Sequence, residues 1–150
     1  MKTLQQVKQL ELGEYKKLVS LLPIMCVDGI IVRDGKYLLV KRVNKPLKGK
    51  YWTPGGRLYK GEKLHDGFIR KMKEETGLDV KIISLLGFYE DFYEENELEL
   101  DYVHTVSVVF IATPTSSEIK MDWQSEGYKW SETLPKELIL NCPFINFKTL

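Results

Sequence analysis

The sequence predicts an α/β fold in which a mixed β-sheet lies between α-helices, and three observations carry that prediction. Two β-rich runs flank Arg33-Asp34-Gly35, and two longer ones cover residues 80–93 and 102–113. Two stretches, residues 2–20 and 63–76, instead place apolar residues at helical spacing. The strands and helices then mix without regular βαβ alternation, the pattern of a mixed sheet with flanking helices. At 150 residues the chain fits one domain able to bury a proper core. No internal repeat, low-complexity segment or linker divides it.

Residues 2–20 place Leu4, Val7 and Leu10 on one helical face, with Leu18 and Leu21 further on. This reads as an amphipathic N-terminal helix, interrupted at Gly13, that packs on the sheet or contributes to a homodimer interface. Pro23 ends it. Ile24 to Arg42 then reads as a hairpin turning at Arg33-Asp34-Gly35. Asp28 interrupts the first of its strands. A carboxylate in a buried strand is costly unless it is paired or bound, so Asp28 is a satisfied strand-end group or a ligand. Residues 43–49 form a loop by composition, Tyr51-Trp52 a short strand, and Pro54-Gly55-Gly56 a turn.

The central helix follows over residues 63–76, with Leu64, Phe68 and Met72 as its buried stripe and Gly77 as its C-cap. An acidic, solvated segment, Glu94 to Asp101, joins the two long strands. Residues 114–118 form a turn, Gly127 to Trp130 a final short strand, and the tail from Pro135 a helical turn.

Composition narrows the function. The chain is 43% apolar and 29% charged, with a formal charge of +1, ordinary for a globular protein and no electrostatic case for a nucleic-acid or membrane partner. The N-terminus is too polar for a signal peptide, and no apolar run approaches the roughly 20 residues of a membrane span. Cys26 and Cys142 form no CxxC pair and read as buried, reduced thiols, so the expected location is cytoplasmic.

The chemistry concentrates between Trp52 and Leu78. Gly56 is followed by Glu62, Arg70, Met72, Glu74, Glu75, Gly77 and Leu78. Each helical residue turns by about 100°, so Arg70 and Glu74 share a face and Arg70 orients that carboxylate. Glu75 lies beside Glu74 around the axis, and both reach one ion. Hard oxygen ligands of this kind select magnesium or manganese, which would bridge a diphosphate and activate water. An arbitrary pair of helical glutamates is usually no more than a solvated face. Here the register is complete enough to reverse that reading.

The register resembles the Nudix box of the MutT-like hydrolases, G-x5-E-x7-R-E-U-x-E-E-x-G-U with U aliphatic. Eight of nine specified positions over 23 residues match, and the exception is Lys71, where the family has a glutamate. The resemblance implies the Nudix fold, a mixed sheet sandwiched between helices, with Glu62, Arg70, Glu74 and Glu75 as catalytic residues. Lys71 sits one turn before Glu75. Its ammonium either takes the place of a metal ion or points to solvent.

A narrower resemblance precedes and follows the box. Lys41-Arg42-Val43-Asn44-Lys45-Pro46, Gly49, Tyr51-Trp52 and Pro54-Gly55-Gly56-Arg57 are similar to a motif of the GDP-mannose mannosyl hydrolases. The similarity continues through Phe92 to Asn96, His104, Gln124 and Tyr128-Lys129-Trp130. It implies Mg2+ (or Mn2+) held by Asp28, Glu75 and Gln124, to which helical spacing adds Glu74, a residue that subgroup lacks, and substrate bound by Arg42, Asn44, Trp52 and Arg57. Arginine's planar fork suits phosphate oxygens. The implied partner is a nucleoside diphosphate-type small molecule, a nucleotide sugar such as GDP-mannose, acted on by a homodimer.

Two positions depart from that subgroup. Ser125 stands where it has its general base, a histidine, and Asp91 stands where it has a second histidine. Attack at the sugar carbon and attack at phosphorus therefore both remain open. Glu62, Asp91, Glu94 and Glu126 are the candidate bases, while His65 reads as exposed and His104 as a packed strand residue. Nucleoside triphosphates, ADP-ribose and dinucleotides are alternative substrates, and a non-catalytic nucleotide sensor is the alternative of a different class.

Overall fold

The computed structural model describes residues 10–121 and 125–142. Its elements in chain order are α1 (Leu12–Leu21), β1 (Ile24–Arg33), β2 (Lys36–Arg42), β3 (Tyr51–Trp52), β4 (Gly55–Arg57), α2 (Leu64–Thr76), β5 (Val80–Tyr93), β6 (Val103–Pro114), β7 (Ser125–Ser131) and α3 (Lys136–Asn141). The sheet runs β3-β2-β1-β6-β5, with β4 added alongside β1 and β7 alongside β2. It is mixed: β1 pairs in parallel with β6, from Ile24 opposite Thr105 to Ile31 opposite Ala112, and every other ladder is antiparallel.

The two faces of the sheet follow from strand periodicity. On β1 and β6, Val27, Ile31, Phe110 and Ala112 point to one side and meet Phe68 and Met72 of α2. The alternate residues Ile30, Val109 and Ile111 point to the other side, where they join Trp52, Tyr89 and Leu138 of α3. The sandwich of helices around a mixed sheet is thus the architecture the sequence predicts. The same alternation puts Asp28 on the α3 side of the sheet, facing away from α2.

Four local expectations change. Among the described residues α1 begins at Leu12, after Glu11 extended at ψ 148°, and Gly13 lies inside the helix rather than breaking it. Leu4 and Val7 lie outside the described residues. Leu64 is 37% exposed, so the buried stripe of α2 consists of Phe68 and Met72 together with Lys71, Glu75 and Thr76. Pro54-Gly55-Gly56 is not a turn: Gly55 to Arg57 form a strand against β1, with Gly55 opposite Asp28 and Gly56 opposite Val27. Finally, Val103 rather than Tyr102 opens β6. The central helix closes as expected on Gly77 in the left-handed conformation at φ 73°.

Candidate active site

The site is built where β4 slides between β1 and α2. A side chain at Gly55 would fall 1.9 Å from Asp28 Oδ1, and one at Gly56 would fall 2.6 Å from Lys71 Cε. Both glycines are therefore required by close approach, and they let two oppositely faced carboxylate regions meet along one short strand. On the α2 side, the Gly55 N–H donates to Glu75 Oε2 at 2.9 Å. On the α3 side, the cross-strand neighbour Asp28 accepts the Tyr89 hydroxyl.

Arg70 organises the α2 side. Its Nε donates to Glu62 Oε1 at 2.6 Å, its Nη1 to Glu74 Oε2 at 2.9 Å, and its Nη2 to both Glu62 Oε2 and the Arg57 carbonyl. The Tyr59 ring lies under the guanidinium at 4.0 Å. Every arm of Arg70 is committed, so it positions Glu74 and the loop rather than offering a free fork to phosphate. The Arg70 hydrogen bonds hold the Glu62 carboxyl below its usual range and raise the guanidinium further. Lys71 completes the network, with its ammonium 3.0 Å from Glu75 Oε1 and 3.5 Å from Glu74 Oε2. Lys71 is 7% exposed and Glu75 is 6% exposed.

The α3 side is chemically different. Burial pushes the Asp28 carboxyl up, opposed by hydrogen bonds from Tyr89 and Ser107. Burial likewise raises Tyr89, and it raises Asp91, which accepts the Tyr93 hydroxyl at 2.7 Å. Cys26 is pushed up to about 12, chiefly by burial and then by the Asp28 charge, so it is a protonated, unreactive thiol.

A cavity of about 770 Å³ opens over both regions. Asp28, Ser107, Tyr89 and Tyr93 form its floor, while Gly56, Lys71 and Glu74 form one wall with Tyr15 and Arg57. Arg57 Cζ sits 4.5 Å from the Tyr15 ring, so the N-terminal helix reaches the site through that tyrosine. A further wall comes from the 43–49 loop and the acidic segment. The Lys45 N–H donates to Glu97 Oε1 at 3.1 Å, and the Lys45 ammonium lies 3.7 Å from Glu95. The Asn96 side chain pins its segment by donating to the Tyr93, Glu94 and Leu100 carbonyls and accepting from the Leu98 and Leu100 N–H groups. This segment is a structured strap whose acidic side chains, Glu94, Glu95, Glu97, Glu99 and Asp101, stay solvated as expected.

Arg42, Asn44, Trp52 and Arg57 all line this cavity. Their situations differ. Arg42 Nε is used at 2.8 Å on the Pro46 carbonyl, bracing the loop. Trp52 is 7% exposed and packs in the core with Ile30 and Leu39. Arg57 keeps its guanidinium at the cavity wall. None of the four nominated bases lines the cavity: Glu62 is held by Arg70, Asp91 by Tyr93, Glu126 by Lys41 at 3.2 Å, and Glu94 is exposed. His65 pairs with neighbouring Asp66 on the surface, and His104 stacks on Phe92 at 4.4 Å beside Glu90. Gln124 lies outside the described residues.

Lys71 does not point to solvent; it fills the space between the two glutamates. Sequence reasoning missed Tyr15, Tyr59, Tyr89, Ser107 and Glu97. Each acts through a partner more than 40 positions away in sequence or through a loop contact, and no spacing signals that.

Among the described residues no three acidic, histidine or cysteine side chains converge as a ready-made metal cluster. The donors that do adjoin, Glu74 and Glu75, are hard carboxylate oxygens, with Glu74 half exposed at the cavity wall. That set fits a divalent cation of the magnesium type.

A family model described as NUDIX domain matches residues 24–138. The chain is 36% identical over 117 residues to the Haloferax volcanii protein named low-salt glycan biosynthesis protein Agl8, with 77% of this chain and 75% of that protein covered. It is 40% identical over 114 residues to the Methanocaldococcus jannaschii protein named ADP-ribose pyrophosphatase, covering 76% of this chain and 63% of that protein, a little under two thirds of its length. A solved MutT Nudix hydrolase from Burkholderia pseudomallei shares the fold with a TM-score of 0.69 at 24% identity, over 83% of this chain and 99% of that one. The chain belongs to the Nudix family of MutT-like hydrolases. Among the described residues no helix is long and apolar enough to cross a membrane.

Proposed function

We propose that the chain hydrolyses a nucleoside diphosphate linked to a sugar, with a divalent cation, Mg2+ or Mn2+, at the box glutamates. The observation that carries this reading is the make-up of the cavity. One wall presents Glu74, Lys71 and Arg57, a setting for a metal-bound diphosphate. Another presents Asn44 and Glu97, the latter beside Lys45, hydrogen-bonding groups that suit sugar hydroxyls. Its volume of about 770 Å³ is in the range of small-molecule sites and accommodates a nucleotide sugar. The names of the two relatives agree with this class, since glycan biosynthesis and ADP-ribose both involve sugar-linked phosphates.

Glu74 and Glu75 would hold the cation; of the further donors the resemblance nominates, Asp28 faces the other side of β4, on the cavity floor, and Gln124 lies outside the described residues. When bound, the cation neutralises the diphosphate and lowers the pKa of a bound water. The chain's own residues do the rest. Arg70 fixes Glu74, and the Gly55 N–H fixes Glu75, so the carboxylates need no reorganisation during the reaction. Arg57 and Lys71 bring positive charge to phosphate oxygens. The Lys45–Glu97 strap closes the sugar wall.

The test is turnover with Mg2+ in oxygen-18 water across nucleotide sugars, ADP-ribose, triphosphates and dinucleotides. The reading expects nucleotide sugars, ADP-ribose included, to be preferred over triphosphates. Label on the released phosphate shows attack at phosphorus, and label on free sugar shows attack at carbon. Preference for triphosphates, or saturable binding without turnover on the whole panel, would sink the proposal.

A further inference from the structure

Lys71 lies where a cation-binding box would gain most from another carboxylate, yet it is buried and specifically accommodated. Its side chain crosses Gly56, whose missing Cβ is what leaves room for Lys71 Cε. Its ammonium takes up Glu75 Oε1 at 3.0 Å and reaches Glu74 Oε2 at 3.5 Å. Lys71 lines the cavity, whereas Glu75 stands behind it and does not.

We infer that Lys71 is a resident monovalent cation of the active site: it restricts the chain to one divalent ion and presents its ammonium to the diphosphate. The inference rests on the reading that the box binds a divalent cation.

Charge accounts for the limit. Glu62, Glu74 and Glu75 face Arg70 and Lys71, which leaves this network with one net negative charge. A glutamate at position 71 would leave it with three. A divalent ion entering the present site shares its carboxylate oxygens with a fixed ammonium, and a second one meets both the first ion and that ammonium. Even at the dielectric constant of water, a divalent and a monovalent charge about 5 Å apart repel enough to weaken binding roughly tenfold. In a partly desolvated wall the effect is larger. The same ammonium, once the divalent ion takes over the glutamates, remains at the cavity wall as a point charge for a phosphate oxygen.

Mn2+ titration followed by electron paramagnetic resonance, without nucleotide, reads the number of ions and their affinity directly. The parent chain binds one Mn2+. Lys71→Glu binds two. Lys71→Met, uncharged and of similar length, still binds one but about tenfold more tightly, while Lys71→Arg keeps one ion at near-parental affinity.

Two ions on the parent, no Mn2+ on the parent, or unchanged affinity in Lys71→Met would each overturn the inference. Should Lys71→Glu fail to fold, the parent stoichiometry and the Lys71→Met affinity still decide. Turnover of nucleotide sugars with two bound ions would keep the proposed function and lose this inference. One bound ion with no turnover on the panel would do the reverse.

Discussion

The two sides of β4 handle buried carboxylates in opposite ways. On the α2 side, Glu62, Glu74 and Glu75 are each met by Arg70 or Lys71 in direct ion pairs. On the α3 side, Asp28 has no basic hydrogen-bond partner among the described residues; its donors there are Tyr89 and Ser107, and burial pushes its carboxyl up. One network is built of ion pairs, and the other is a floor whose carboxyl is raised by burial and held by hydroxyl donors. A strand of two glycines is thin enough to hold them back to back. Removing one member of each network should therefore produce different symptoms.

The largest expected effect is on the charged side. Glu75→Gln keeps an oxygen for the Gly55 N–H but removes the charge that faces Lys71 and would face the proposed cation. kcat/KM should fall by roughly 10²–10³, the scale of losing one fixed electrostatic stabiliser, while circular dichroism shows the fold retained. Near-parental turnover in this variant would refute the metal assignment.

Arg70→Ala attacks the same network through its centre. It strands the Glu62 carboxylate, whose two oxygens both accept from Arg70. Breaking a mostly buried pair by deleting one partner costs about 3 kcal/mol, measurable as a drop in urea unfolding free energy. The pH dependence gives an independent sign. The Glu62 folded-state pKa is depressed, so its contribution is present above the unfolded value of 4.5 and is lost as pH falls through the folded value. Parental stability should decline below about pH 4.5 more steeply than that of Glu62→Gln. Parallel acid profiles would show that the Arg70–Glu62 pair contributes nothing.

How much of this contrast was legible differs by side. The charged side could be read from the sequence because Glu62, Arg70, Glu74 and Glu75 interact through helical spacing and one short loop. Even there, the placement of Lys71 needed the structure: a lysine one turn before a glutamate is ordinarily a solvated pair, and only the glycine strand beneath it makes it a buried one. The floor was nearly illegible. Asp28 was recognisable as an anomaly in an apolar strand, but its partners come from β5 and β6, fixed by a parallel ladder and by bulges that no local pattern reports. Reading Pro54-Gly55-Gly56 as a turn followed from the usual behaviour of those residues. The strand arises because cross-strand pairing with β1 and close packing against α2 outweigh that local preference.

Tyr89→Phe tests the floor. It removes one hydroxyl donor to a buried carboxyl with little change in packing volume. The expected cost is about 1–2 kcal/mol in unfolding free energy, with the Asp28 carboxyl moving up still further. Because this side is not ion-paired, its stability loss should be insensitive to salt, whereas the loss in Arg70→Ala should shrink as salt rises. Equal salt dependence in the two variants would break the comparison.

The smallest effect belongs to the strap. Glu97→Ala deletes one hydrogen bond between two surface loops, the contact to the Lys45 N–H. A bond of this kind contributes about 0.5–1 kcal/mol. It lies away from the box glutamates, so the loss should appear in sugar binding and not in the chemical step. KM for a nucleotide sugar should rise about two- to fivefold with kcat unchanged, and a triphosphate should be turned over no worse than by the parent. A fall in kcat would mean that strap closure also arranges the charged wall, and the two sides of the site would then be coupled rather than independent.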